Sequence, residues 1–149
     1  MTSRSVVLAF TFLLATGTAA AETVEVRMLN RGEGGSMVFE PDFVALQPGD
    51  TIQFRVGSRS HNAASIAGMA PAGATSFKGQ IDEEITVRLD TPGFYGIKCS
   101  PHLGMGMVMV VKVGAAELPA AFVAEALPAR AKARFGEILE RAGLGKPKP

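Results

Sequence analysis

The chain has 149 residues, with 15 Lys and Arg against 14 Asp and Glu, one cysteine, two histidines and seven methionines. A charge balance this close to neutral gives no overall pull toward nucleic acid, and a single cysteine excludes an internal disulfide and a C-x-x-C-H haem attachment. The length suits one domain able to bury roughly two thirds of its unfolded surface.

Residues 1–21 carry one positive charge at Arg4, an apolar run from Val6 to Leu14 and small residues ending Ala19-Ala20-Ala21. This is the order of a secretory signal peptide, and the apolar run is too short to span a bilayer. Cleavage is expected after Ala21, leaving Glu22 to Pro149 with acids and bases in equal number and no membrane insertion. In an oxidising compartment an unpaired Cys99 would be open to intermolecular pairing unless something occupies its sulfur.

Short period-two runs follow. In TVEVRM, Val24, Val26 and Met28 share a face; in TIQFRV, Ile52, Phe54 and Val56 do; in EITVRLD, Ile85, Val87 and Leu89 do. Such runs predict half-buried antiparallel strands, with Gln47-Pro48-Gly49-Asp50 and Asp90-Thr91-Pro92-Gly93 as turns, and several of them make a sandwich or barrel. FYGIKC sets Tyr95, Ile97 and Cys99 on one face, and MVMVVKV from Met107 to Val113 predicts a strongly apolar strand, so CSPHLGMGM is a loop between two strands. Beyond Gly114, Pro119 and Pro128 suit the first turns of two helices, and Ala131, Phe135, Ile138, Leu139 and Ala142 recur at helical spacing. The expected organisation is residues 1–21 as signal peptide, 22–114 as β-sandwich and 115–149 as a helical extension covering a face or edge of the same domain.

The chemistry concentrates in the CSPHLGMGM loop. Cys99 and His102 stand three apart, and Pro101 between them forces the chain out of the sheet. Gly104 and Gly106 permit positive-φ turns that would bring Met107 back to the same point. The only other histidine, His61, lies 38 residues before Cys99 and can join only through the tertiary fold. Two imidazoles, a thiolate and a weak thioether are the ligand set of a blue-copper electron-transfer centre. Zinc favours four stronger donors, or three and an open water position. A thiol enzyme with Cys99 as nucleophile and His102 or His61 as base lacks an identifiable orienting carboxylate or oxyanion hole and leaves the methionines unexplained. A copper carrier or storage protein without an electron-transfer role stays open as the alternative, because Met105, Met107 and Met109 are all soft donors.

The Cys-x-x-His-x-x-x-x-Met spacing resembles the copper loop of plastocyanin-type cupredoxins. VRMLNRGEGGSMVFEPDFVALQPGDTIQF, SHN around His61, APAGATSFKG, PGFYGIKCSPHLGMGM and the C-terminal tail together resemble the pseudoazurins across the whole mature chain. The resemblance implies a mainly β protein, an eight-stranded Greek-key cupredoxin sandwich with two C-terminal α-helices, holding one type 1 copper ion through His61, Cys99, His102 and Met107. It implies that Asn62 ties the two ligand-bearing loops together and that Met37 lies beside the His102 ring. It further implies a monomeric periplasmic electron carrier, not an enzyme. Its partners would be a nitrite reductase or a c-type cytochrome, docked on an apolar patch of Pro101, Leu103 and Met105 ringed by Arg31, Arg59, Lys78 and Lys98. The chain departs from the family pattern at Leu103, where many pseudoazurins have an aromatic residue, and at Arg27, where several have histidine.

Overall fold

The computed structural model describes residues 20–145. Eight strands follow in order: β1 (Thr23–Gly32), β2 (Gly35–Glu40), β3 (Phe43–Leu46), β4 (Thr51–Val56), β5 (Ala64–Ser65), β6 (Ile85–Arg88), β7 (Gly93–Lys98) and β8 (Val108–Val113). A 3₁₀ turn (Leu103–Met105) separates β7 from β8, and one helix, α1 (Ala129–Arg141), ends the domain. The strands form two four-stranded sheets, β2-β1-β4-β6 and β3-β8-β7-β5.

The alternating residues of β1, β4 and β7 meet between the sheets. Val26, Met28, Phe39, Ile52, Phe54, Tyr95, Ile97, Met109 and Val111 fill this layer, and Cys99 and Met107 belong to it. β8 is apolar on both faces because it is covered twice: Val108 and Val110 face outward into a second cluster with Phe94, Ala131, Phe135, Ile138 and Leu139. That doubly covered position explains the near-continuous hydrophobic run of MVMVVKV. At the turn before β4 the Asp50 carboxylate accepts from the backbone N–H of Glu22 at 2.8 Å and of Gln47 at 2.7 Å. Among the described residues, no helix is long and apolar enough to cross a membrane.

Two expectations need correction. The strands are not all antiparallel: β1 pairs with β4 in parallel, and β3 with β8 in parallel. Period-two patterning fixes which side chains face the core but carries no strand direction, and the crossover that a parallel pair requires is supplied by the chain passing from β2 through β3 in the opposite sheet. Of the two helices expected after Gly114 only one forms. The segment before Pro128 is a series of turns, for Pro119 and Pro128 enclose only a short run, helix nucleation is costly and Leu127 before proline is steered away from the α region. The run is held instead by single anchors, chiefly Phe122, edge-on to Phe94 at 5.8 Å and to Phe135 at 6.1 Å between ring centroids. The expected signal peptide lies almost wholly outside the described residues.

Candidate metal centre

The site stands at one end of the inter-sheet layer, where β7 runs out into the loop that returns as β8. Backbone hydrogen bonds close that loop on itself: His102 N–H donates to Cys99 O at 3.2 Å, Met107 N–H to His102 O at 3.1 Å, and Cys99 N–H to Met107 O at 3.0 Å. Gly106 takes φ 84°, the left-handed turn that sends the chain back into β8. Gly104 instead sits inside the 3₁₀ turn, so one glycine rather than two performs the reversal.

His61 arrives from the other side of the site, after β4. Asp82 fixes its segment at two points: Ser60 N–H donates to Asp82 Oδ1 at 2.6 Å, and Asp82 N–H donates to the His61 carbonyl at 2.8 Å. Both Ser60 (φ 75°) and Asp82 (φ 61°) occupy the left-handed region, which is unfavourable for residues with a Cβ and persists only where the surroundings demand it.

His61, Cys99 and His102 converge. His61 Nδ1 lies 3.0 Å from His102 Nδ1, and Cys99 Sγ lies 3.5 Å from His102 Nδ1 and 3.7 Å from His61 Nδ1. The centre of a triangle with these edges is about 2.0 Å from each corner, against metal–nitrogen and metal–sulfur bonds of about 2.0–2.3 Å. Among the described residues this is the group of three His, Cys, Asp or Glu side chains close enough to share an ion. His61, Cys99 and Met107 are wholly buried, while His102 is half-buried.

The protonation chemistry suits a cation. Burial, reinforced by the neighbouring His102, holds His61 below the usual histidine range against the opposing pull of Asp82. A neutral His61 donates Nε2–H to Asn30 Oδ1 at 2.8 Å, which turns the Nδ1 lone pair inward. Burial pushes the Cys99 thiol up, and the backbone N–H groups of Asn62 and His102 act in the other direction on its sulfur. A metal ion held by Cys99 would remove the remaining obstacle, since a coordinating thiol is deprotonated outright. Two inward imidazole nitrogens, one sulfur already approached by two N–H donors, and a buried thioether on the same loop fit a soft ion such as copper.

Asn62 joins the two halves of the site. Its Oδ1 accepts from Ser100 N–H at 2.7 Å, and its Nδ2 donates to Gly79 O at 2.9 Å and to Ser100 Oγ at 3.3 Å. Met37, at φ 52°, is half-buried against the inter-sheet layer. Around the site Pro101 is exposed, Met105 is 51% exposed, and Leu103 is half-buried because it leans on the helix-side cluster. Arg31, Arg59 and Lys78 are exposed and Lys98 is half-buried. Met109 is buried in β8 opposite Ile97, so the three methionines of the loop region do not gather at one point.

Sequence reasoning missed Asn30, Asp82 and Ser100. Asn30 and Ser100 are polar residues beside strand ends with no spacing to mark them. Asp82, the first of three consecutive acids, reads as ordinary solvated surface.

Residues 26–114 match the family of copper-binding proteins of the plastocyanin/azurin type. The chain is 50% identical over 117 residues to a pseudoazurin of Paracoccus pantotrophus, covering 77% of this chain and 80% of the relative. It is similar to the crystal structure of a pseudoazurin from Methylobacterium extorquens AM1, with a TM-score of 0.74 and 39% identity over 80% of this chain and 98% of that one. A pseudoazurin structure from Hyphomicrobium denitrificans gives a TM-score of 0.71 and 34% identity over 80% of this chain and 97% of that one.

Proposed function

Because this chain belongs to the plastocyanin/azurin family of copper-binding proteins, in its pseudoazurin branch, we propose that it is a monomeric periplasmic electron carrier whose copper ligands are His61, Cys99, His102 and Met107. The observation that carries the reading is the inward convergence of His61 Nδ1, His102 Nδ1 and Cys99 Sγ at 3.0–3.7 Å, with Met107 buried on the same loop. Copper bound there supplies a one-electron Cu(II)/Cu(I) couple. The chain's own work is to hold the donors still: Asn30 orients His61, Asp82 fixes the His61 segment, and Asn62 links that segment to Ser100. Fixed donors of mixed softness suit both oxidation states, so little rearrangement accompanies electron transfer.

His102 is the one of the four with exposed surface and therefore offers the shortest path between the buried site and a partner. Pro101 and Met105 beside it supply an apolar contact, and Leu103 backs the loop. Arg31, Arg59, Lys78 and Lys98 have no ion-pair partner within 4.0 Å among the described residues, whereas Arg55, Arg88 and Arg141 do. Lys78 and Lys98 both pair across Ala64, which puts them in one row on one face, about 10 Å apart. Unpaired positive charge around an apolar patch suits an acidic redox partner such as a nitrite reductase or a c-type cytochrome, and can raise encounter rates roughly 10 to 10³-fold at low salt.

The experiment is stopped-flow reduction of each candidate partner by the copper-loaded protein, with Lys78→Glu and Lys98→Glu as variants. The expected result is a large slowing at low ionic strength that shrinks at high salt. Rates unaffected by either substitution at both salt concentrations refute the docking assignment. The absence of electron transfer to any acidic partner favours a copper carrier or storage protein without an electron-transfer role instead.

A further inference from the structure

Expected from sequence to cover a sheet face, α1 does more than cover it. The helix packs on β8 and also on the 3₁₀ turn of the ligand loop. At that second contact Gly106 meets the first turn of the helix so closely that a Cβ on Gly106 would lie 2.9 Å from Arg130 Cγ and 3.1 Å from the Arg130 carbonyl oxygen. Gly104, two residues earlier in the same loop, has open space around its Cβ position. The loop therefore touches the helix through the backbone of the residue that immediately precedes Met107.

The helix is in turn anchored away from the loop. Ala131, Phe135, Ile138 and Leu139 are wholly buried against Val108, Val110 and Phe94. At its far end Arg141 pairs with Asp42 at 2.6 Å, between β2 and β3. A rigid element seated on one sheet and tied beyond it, with its first turn against Gly106, resists any outward movement of the loop. We propose that α1 is a strut for the ligand loop and that Gly106 and Arg130 are positioning residues, holding Met107 and the loop hydrogen bonds in place without touching the ion. The consequence for copper retention rests on the copper reading above; the mechanical part does not.

The test uses Gly106→Ala, Gly104→Ala and the double variant Gly106→Ala with Arg130→Ala. In the metal-free proteins, amide hydrogen exchange is read at Cys99 and Met107, whose N–H groups close the loop. The strut predicts exchange about tenfold or more faster in Gly106→Ala, a partial return toward wild type in the double variant, which removes the Arg130 Cγ contact but leaves the Arg130 carbonyl oxygen and the left-handed φ of residue 106, and no change in Gly104→Ala. In the copper-loaded proteins, release to a chelator should quicken about 10–100-fold in Gly106→Ala, the scale on which outer contacts act on metal affinity. Unchanged exchange in Gly106→Ala overturns the strut. So does faster exchange in Gly106→Ala together with unchanged exchange at Met107 in Phe135→Leu, for that is local strain at a left-handed position and not contact with the helix; exchange that ignores the Arg130 side chain removes Arg130 from the positioning residues. Should Gly106→Ala not fold, Phe135→Leu loosens the helix seat without altering the loop: faster exchange at Met107 supports the strut, and unchanged exchange there refutes it. A wild-type protein that binds no copper defeats the copper reading alone, since the exchange measurement is made without metal.

Discussion

Asn62→Ala probes how the site is held together. Asn62 is 2% exposed and joins three segments: its own loop, the chain at Gly79 and the ligand loop at Ser100. Truncation to Ala leaves the buried Gly79 carbonyl and the half-buried Ser100 N–H without these partners. A buried polar group deprived of its partner costs about 1–3 kcal/mol. With water reaching Ser100 more readily than Gly79, the sum comes to about 3 kcal/mol. For a domain of this size 1 kcal/mol corresponds to about 3–5 °C, so the metal-free variant should melt about 10 °C or more below wild type. Ser100→Ala is the control, because it removes only the 3.3 Å bond to its hydroxyl and should cost about 1 kcal/mol. The assay is thermal unfolding of the metal-free proteins followed by circular dichroism. A loss of less than about 2 °C in Asn62→Ala, or equal losses in the two variants, would show that the two ligand-bearing segments are aligned by something other than this side chain.

Other outcomes follow from the same geometry. Asn30→Ala removes the acceptor for His61 Nε2–H and should weaken copper binding about 10–100-fold in chelator competition, with little change in melting of the metal-free protein. Met107→Leu keeps the buried volume but deletes the thioether. The thiolate-to-copper band should survive and the reduction potential should rise, because a donor to Cu(II) is lost, whereas a potential equal to wild type would remove Met107 from the ligand set. Asp50 is held below the usual carboxylate range by the backbone N–H groups of Glu22 and Gln47, so its ionised form stabilises the fold above the unfolded-state pKa and that contribution disappears as pH falls through the lower folded-state value. Asp50→Asn should therefore melt below wild type at neutral pH, with the gap closing in acid; a gap independent of pH would assign the loss to packing instead of charge.

The parts written plainly in the chain are those where local chemistry and fold agree. Val26 and Met28, and Ile52 and Phe54, announce their strands because each strand buries one face, Tyr95 and Ile97 keep the same period on a strand covered on both faces, and Cys99, His102 and Met107 announce a loop because proline and glycine separate them. Strand direction is absent from such patterns, which is why the parallel pairing of β1 with β4 could not be read from TVEVRM and TIQFRV. The missing helix has a similar cause: Pro119 and Pro128 are compatible with helix starts, but whether a short run between them becomes helical depends on Phe122 finding Phe94 and Phe135, a tertiary contact. His61 stands out as one of two histidines in the chain and through the SHN stretch around it. Asn30, Asp82 and Ser100, which orient the ligands, act through hydrogen bonds between segments distant in sequence, and nothing in their immediate neighbours distinguishes them from surface polar residues.

Convergence of a mid-chain imidazole on the donors near the far end is tested most directly by titrating the purified protein with Cu(II) and recording absorption and electron paramagnetic resonance spectra for wild type, Cys99→Ser and His61→Ala. The expected result is one copper per chain with an intense visible thiolate-to-copper band, abolished in Cys99→Ser and lost or strongly shifted in His61→Ala. A colourless copper-loaded wild type, or a band that His61→Ala leaves untouched, would contradict it.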